Sequence, residues 1–215
     1  MNSQFTPQLT LLYQTYNEII KPLIAEIEVR YEQFPTPIFN EIRAFNDHIA
    51  RCYRKSISSE DIENELKKAQ GHIERIILDC YKFLNVELHK NVVKRFDKRT
   101  KGVDLGTINN GTFFTIYSEA KKFINIHLKE AKLLEVQDKE KSLKEFELVY
   151  NKFSELETFL IDNERYICWA RTRYYSNKIL KLLGWLLAAI ISGTISSLYI
   201  PWNKLFAFFC SVFHL

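Results

Sequence analysis

The spacing of apolar residues predicts that the chain is helical over most of its length. Apolar positions recur every three or four residues, and no stretch shows the sustained alternation that is typical of a half-buried strand. This pattern predicts helices at residues 6–33, 37–56, 60–96, 113–137 and 139–176. The fold class is therefore all-α, with a helical bundle in residues 1–176 and a separate C-terminal region in residues 177–215.

Turn and capping residues mark the predicted helix ends. Thr36 is expected to cap a helix whose first residue is Pro37. Ser58 and Asp61, three residues apart, approximate a capping box at the start of the third helix. Residues 100–112 contain three of the six glycines and form the one real loop that the sequence predicts.

The last long helix carries apolar residues at alternating spacings of three and four. The positions are Phe146, Val149, Phe153, Leu156, Leu160, Asn163 and Ile167. Such a seam is typical of a coiled coil, in which a polar residue such as Asn163 can specify register. The same spacing equally fits packing inside the bundle core of one chain.

Residues 182–200, LLGWLLAAIISGTISSLYI, contain no charged residue. As a helix this stretch is ~28 Å long, close to the ~30 Å hydrocarbon core of a bilayer. Trp185, Tyr199 and Trp202 lie near its ends, where amphipathic rings favour the membrane interface. The sequence therefore predicts a transmembrane helix. The alternative is a buried core helix, although core helices seldom run this long without a charge.

The flanking charges predict the orientation of this helix. Five basic residues and no acidic one lie between Arg165 and Lys181, whereas Lys204 is the only basic residue beyond the span. The positive-inside rule then places the N-terminal domain in the cytosol, at the cell (inner) membrane. Residues 203–215 are too short to cross a whole bilayer again, and we interpret them as an interfacial or re-entrant helix, with a hairpin across a thinned bilayer as the alternative.

Small residues recur at four-residue spacing within the predicted span. Ala189, Gly193 and Ser197 form one row, and Ala188, Ser192 and Ser196 form the next. Rows of this kind let helices approach closely, which favours a homo-oligomer and a conduit through the bilayer. The alternative is that small residues are simply common in membrane helices.

Composition and motifs limit the kinds of ligand binding and catalysis that the sequence supports. The net charge of +4 is too weak to indicate nucleic-acid binding without a local concentration of charge. The four cysteines form no CxxC pair, so we expect buried thiols and no metal or cofactor. The sequence contains no phosphate-binding loop, no dinucleotide fingerprint and no nucleophile elbow.

Basic residues are concentrated in residues 90–101, which carry six of them against the single acid Asp97. A nucleotide or oligonucleotide could bind there, with the amides of the adjoining loop as further donors. The candidate ligand-binding residues are Lys94, Arg95, Lys98, Arg99 and Lys101, together with His72 and Arg75 of the preceding helix. A solvated helix end and attraction to anionic lipid headgroups are the two alternatives.

The second helix has an apolar and a polar side. Ile38, Ile42, Phe45, Ile49, Cys52 and Tyr53 share the apolar third. His48 lies at its edge, where a histidine usually has an ordinary structural partner. In the third helix, His72, Arg75, Asp79 and Lys82 form a row that is typical of a solvated face.

Within FNEIRAFNDHIARC, residues 39–52, Arg43 and His48 are separated by four residues. This spacing resembles the signature of HEPN domains (higher eukaryote and prokaryote nucleotide-binding domains), over roughly residues 8–95. The resemblance implies a helical bundle, often dimeric, in which Arg43 stabilises phosphate charge and His48 acts as an acid or base in RNA cleavage. Ala44 stands where many active members carry a polar residue, which favours a ligand-binding or structural domain.

A HEPN-like domain joined to a membrane segment is similar to the membrane effectors of bacterial antiphage systems, including accessory membrane proteins of type VI CRISPR loci. Those accessory proteins carry the membrane helix at the N-terminus, whereas here it is C-terminal. The similarity therefore concerns the two parts and not their order along the chain. We therefore expect an oligomeric membrane effector that forms or gates a pore when its cytosolic domain senses a nucleotide, nucleic acid or protein signal. The alternatives are a membrane-tethered ribonuclease and a tail-anchored adaptor without activity.

Overall fold

The computed structural model describes residues 5–199, 201–204 and 206–207. The described residues are 88% helical and contain no strand. The all-α prediction is therefore confirmed.

Eight α-helices make up the described chain. They are α1 (Thr6–Thr15), α2 (Lys21–Tyr31), α3 (Thr36–Arg51), α4 (Ser59–Leu88), α5 (Arg95–Arg99), α6 (Thr112–Leu134), α7 (Lys139–Asp162) and α8 (Glu164–Tyr199). Two π-helical turns, Tyr16–Ile20 and His89–Lys94, join α1 to α2 and α4 to α5 without a loop. The predicted loop contains two short 3-10 turns, Leu105–Thr107 and Asn109–Gly111.

The bundle is built from two helical hairpins. Helices α3 and α4 form one hairpin and α6 and α7 form the other, while α4 also packs against α7. The apolar faces meet in one continuous core that includes the fully buried side chains of Phe45, Ile76, Phe113 and Phe153. Long amphipathic faces of this kind bury enough apolar surface to offset the conformational entropy lost on folding.

The predicted seam of the last long helix packs inside this core. Phe146, Val149, Phe153 and Leu156 are each at most 2% exposed, on a helix that contacts α4 and α6. These side chains are therefore used within the chain, as the bundle alternative predicts. A single helix over 139–176 is wrong: Asn163 leaves helical geometry at φ −99° and ψ 6°, and its side-chain amide bonds the Phe159 carbonyl at 2.9 Å.

Two other helix ends differ from the prediction. Helix α3 stops at Arg51 instead of residue 56, and Ser56 takes a positive φ of 62°. Thr36 is the first helical residue of α3, and Pro35 holds the capping position. The cap at Ser58 is confirmed, since the Asp61 amide donates to Ser58 Oγ at 3.1 Å, and the Ser58 hydroxyl in turn donates to the Asp61 carboxylate at 2.7 Å.

The cysteines only partly follow the expectation of buried thiols. Cys52 and Cys80 are buried, and burial raises the pKa of the Cys80 thiol to about 12. Cys168 is exposed on α8, because this part of the helix has only one face against the bundle. Cys210 lies outside the described residues.

Candidate functional site

Helix α8 passes from the bundle into the apolar stretch without interruption. Its first part is held by the bundle through Ile167 and Ala170, which are 0% and 4% exposed. From residue 175 to residue 195 every side chain is exposed. In the described chain, α8 is the one helix long and apolar enough to cross a membrane. The predicted boundary after residue 176 therefore falls inside a single helix.

The small residues of this stretch form an open face. Apart from the adjacent backbone of α8 itself, a Cβ added at Gly184 or at Gly193 would meet no atom within 4 Å. Gly184 also extends the predicted row of Ala188, Ser192 and Ser196 by one further turn. The helix includes position 197, but the Ser197 side chain lies outside the described residues, as does most of the predicted helix 203–215.

Two histidines face each other across the α3–α4 hairpin. His48 Nδ1 of α3 lies 2.7 Å from Glu65 Oε2 of α4, and His72 Nδ1 of α4 lies 2.6 Å from Glu41 Oε2 of α3. The two imidazole rings stack with centroids 5.1 Å apart. Glu41 lies seven residues before His48 on α3, and His72 lies seven residues after Glu65 on α4. The two pairs therefore belong to the same antiparallel register of α3 and α4.

The carboxylates of these pairs are stabilised in their ionised form. Hydrogen bonds with His48 and Lys68 lower the pKa of Glu65 to about 2. Burial raises the pKa of Glu41, but hydrogen bonds with Arg75 and His72 outweigh it and lower that pKa overall. The imidazoles have side-chain exposures of 14% and 15%, so each ring is oriented by a carboxylate and shows little of its surface to solvent.

The structure does not bring Arg43 to His48 within one chain. Five residues along a helix correspond to a rotation of ~140°, so the two side chains leave α3 on different sides. Arg43 is exposed, whereas His48 faces α4. The His72 row is likewise not a solvated face, because His72 and Arg75 bond Glu41 of α3 and Lys82 pairs with Glu135.

The predicted ligand-binding residues fall into two separate places. His72 and Arg75 belong to the α3–α4 hairpin, whereas the basic segment lies beside the start of α8. There, Arg99 donates to Glu164 Oε2 at 2.5 Å, and this bond lowers the pKa of Glu164. Lys94, Arg95, Lys98 and Lys101 are exposed. The structure thus places the basic segment next to the helix that carries the apolar stretch.

The loop after the basic segment packs along α8. Gly102, at φ +82°, lies so close to Tyr174 that an added Cβ would be 2.6 Å from the tyrosine oxygen. Further on, Asn109 and Asn110 take positive φ values of 48° and 52°. They line a groove with Thr107, Ile108, Arg165, Tyr166 and Trp169. Strained backbone of this kind persists only where the surrounding structure holds it in place.

Sequence reasoning missed a third histidine cluster. His127, Glu130 and Glu145 place three potential metal-ligand atoms within 4.8 Å of one another, on α6 and α7. The sequence feature that could have indicated this cluster is the spacing of His127 and Glu130, which are three residues apart and therefore share one helix face. His127 Nδ1 already has a partner in Glu145 Oε2 at 2.7 Å, so this ion pair joins the two helices of the hairpin.

No family model matches the chain, and neither a curated protein nor a solved structure matches it.

Proposed function

We propose that this protein is a membrane effector whose helical bundle, on the cytosolic side, controls the assembly of its transmembrane helices into a pore. The signal sensed by the bundle is a nucleotide, a nucleic acid or a partner protein. The setting in antiviral defence follows from the resemblance to membrane effectors of antiphage systems. The lipid bilayer and further copies of the same chain are the partners that this function requires.

The continuity of α8 is the observation that carries the proposal. A tail anchor needs only an apolar helix on a flexible linker. Here the same helix is buried against the bundle at Ile167 and Ala170 and then runs on, unbroken, through the exposed apolar stretch. A rigid helix transmits a rotation or shift of the bundle directly to the membrane segment, which is what a signal-controlled pore requires.

The open small-residue face supports assembly of the membrane segment. Gly193 leaves room for the backbone of a neighbouring helix beside Ala189, and Ser196, three residues further on, adds a hydroxyl group on the same side. Small residues permit close helix contact, and hydroxyls can bond across the interface or line a water-filled path. Large apolar side chains, including Leu183, Leu187 and Ile190, are available to face lipid.

A pair of insertions between Ser176 and Asn177 tests the coupling. A seven-residue Gly/Ser insert uncouples the two parts, whereas a seven-alanine insert adds about two helical turns and keeps α8 rigid. The purified full-length variants are reconstituted in vesicles that contain a trapped dye. The proposal predicts that the flexible insert abolishes dye release and the helical insert retains it. Equal release from both variants would show that the bundle does not control the pore through α8.

A second candidate function is a membrane-tethered ribonuclease. The observation in its favour is that Arg43 is exposed and forms no ion pair among the described residues, so it is available to meet His48 of another chain. His48 is already oriented by Glu65, as a general acid or base requires. In this function the membrane helix serves as a tether.

A further inference from the structure

The fold places the basic segment, residues 90–101, beside the N-terminal part of α8, although the two are far apart in sequence. Arg99 is fixed to Glu164 at the first residue of α8, and Gly102 lies against Tyr174 ten residues further along the helix. The chain between Arg99 and Gly102 therefore runs along α8 in the direction of the apolar stretch. Lys98 and Lys101, at either side of Arg99, are exposed.

Tyr174 precedes Leu182, the first residue of the uncharged stretch, by eight residues. At 1.5 Å per residue this corresponds to ~12 Å along the helix axis. The headgroup layer extends ~5–8 Å beyond the hydrocarbon core on each side, and long lysine side chains reach several ångströms further. Cations at the level of Tyr174 therefore come within reach of lipid phosphates.

Three cations of α8 itself belong to the same region. Arg173, Lys178 and Lys181 are exposed, and Arg173 lies over the ring of Trp169 at 5.3 Å. We call these three residues, together with Lys98 and Lys101, the juxtamembrane basic surface. In the described part of the chain none of the five forms an ion pair, and the loop's one acid, Asp104, accepts a bond from the Gly106 amide.

We infer that the juxtamembrane basic surface binds the phosphate groups of anionic phospholipids. This inference depends on the membrane span of the proposed function and adds a second contact between protein and bilayer. The distribution of the cations favours lipid over a soluble nucleotide. Arg173, Lys178 and Lys181 are spread over ~140° around α8 and ~12 Å along it, so they cannot converge on one small molecule. A layer of headgroups surrounds the helix and meets all of them.

Two consequences follow for the molecule. The contact sets the height of the bundle above the bilayer, and because Lys98 and Lys101 belong to the bundle, it also restricts rotation of the bundle about α8. The strength of the contact depends on the charge of the leaflet and decreases as salt increases.

The test uses purified full-length protein in detergent micelles, titrated calorimetrically with three probes. These are short-chain phosphatidylglycerol, short-chain phosphatidylcholine, and ADP as a soluble source of phosphate. The test variant is Lys98→Gln with Lys101→Gln. The matched control is Lys67→Gln with Lys132→Gln, two exposed lysines on α4 and α6 that lie far along these helices from the loop.

We expect phosphatidylglycerol to bind more tightly than phosphatidylcholine. Each lysine near an anionic surface contributes about fivefold in affinity, so the test variant loses on the order of 25-fold and the control variant loses nothing. Equal binding of the two lipids, an unchanged test variant, or tighter binding of ADP than of phosphatidylglycerol would each overturn the inference.

A separate measurement distinguishes this inference from the proposed function. Alkaline extraction of membranes that contain the protein shows whether α8 is inserted. A protein that resists extraction but shows no preference for phosphatidylglycerol contradicts the lipid site alone. A protein that is released by alkali contradicts the membrane span and the lipid site together.

Discussion

Gly102 and Tyr174 are in direct contact, and this contact joins the loop after α5 to the helix that enters the apolar stretch. The glycine has a φ of +82°, and a Cβ at this position would lie 2.6 Å from the tyrosine oxygen and 3.1 Å from the ring carbon that bears it. Both the backbone conformation and the available space therefore require glycine here.

Substitution Gly102→Ala is expected to destabilise the protein by about 1–3 kcal/mol. About 1 kcal/mol comes from the left-handed backbone conformation, and the rest comes from the collision with Tyr174. The loss is measured by urea unfolding of the full-length protein in detergent. Adding Tyr174→Phe removes the nearest atom, so the double variant is expected to recover part of the loss.

The matched control for this substitution is Gly71→Ala. Gly71 lies inside α4 with a helical backbone, and an added Cβ would be 3.6 Å from the Arg75 guanidinium, an ordinary contact distance. Alanine is expected to stabilise the helix there by about 0.5–1 kcal/mol. An equal change of stability for the two substitutions would contradict the contact between the loop and α8.

The lowered pKa of Glu65 predicts that the folded protein becomes less stable in acid. The pKa of this carboxyl is about 2 in the folded protein, below the ordinary value of 4.5 for a glutamate, because His48 and Lys68 bond the ionised form. A lowered pKa means that the stabilisation is complete above pH 4.5 and is lost as the pH falls towards 2. The expected result is a decrease in the free energy of unfolding across this window.

Substitution Glu65→Gln isolates this contribution. At neutral pH the variant is expected to lose about 1.5–3 kcal/mol, the usual range for hydrogen bonds to a charged group. The difference from the native protein should decrease between pH 4.5 and 2. Glu140→Gln is the control, since Glu140 is 79% exposed and its pair with Lys144 contributes little. A constant difference between Glu65→Gln and the native protein at all pH values would rule out the assigned role of Glu65.

The ribonuclease candidate predicts a specific pattern of complementation. Cleavage of single-stranded RNA by the purified protein should be lost on His48→Ala and on Arg43→Ala, and retained on His127→Ala. Because the two residues would meet across chains, mixing the two inactive variants should restore part of the cleavage. The exposed position of Arg43 ensures that its substitution leaves the fold intact. Cleavage that survives either substitution, or no cleavage by the native protein, excludes this function.

Residue spacing was sufficient to predict the fold class and the apolar helix. The periodicity of apolar positions reports burial, so Phe146, Val149, Phe153 and Leu156 were recognised as one face. The break at Asn163 was not predicted, because the seam continues in phase through Ile167 and carries no proline or glycine signal. Whether that seam packs within a chain or between chains depends on tertiary contacts that spacing does not contain.

The arrangement of the candidate sites was harder to predict. The pairs formed by His48 with Glu65 and by His72 with Glu41 depend on the register between two helices, which the length of the intervening turn determines. The approach of Gly102 to Tyr174 joins residues that are distant in sequence, and only the packing of the loop produces it. A glycine in a loop is consistent with many conformations, so the sequence alone could not identify its neighbour.

Dye release from vesicles that contain the purified full-length protein tests the central proposal most directly. The native protein is compared with Ala189→Leu/Gly193→Leu, which fills the small-residue face, and with Leu187→Phe, which adds bulk on the opposite side of α8. We expect release by the native protein and by Leu187→Phe, and loss of release by Ala189→Leu/Gly193→Leu. Inserted native protein that releases no dye, or equal release by all three proteins, would contradict it.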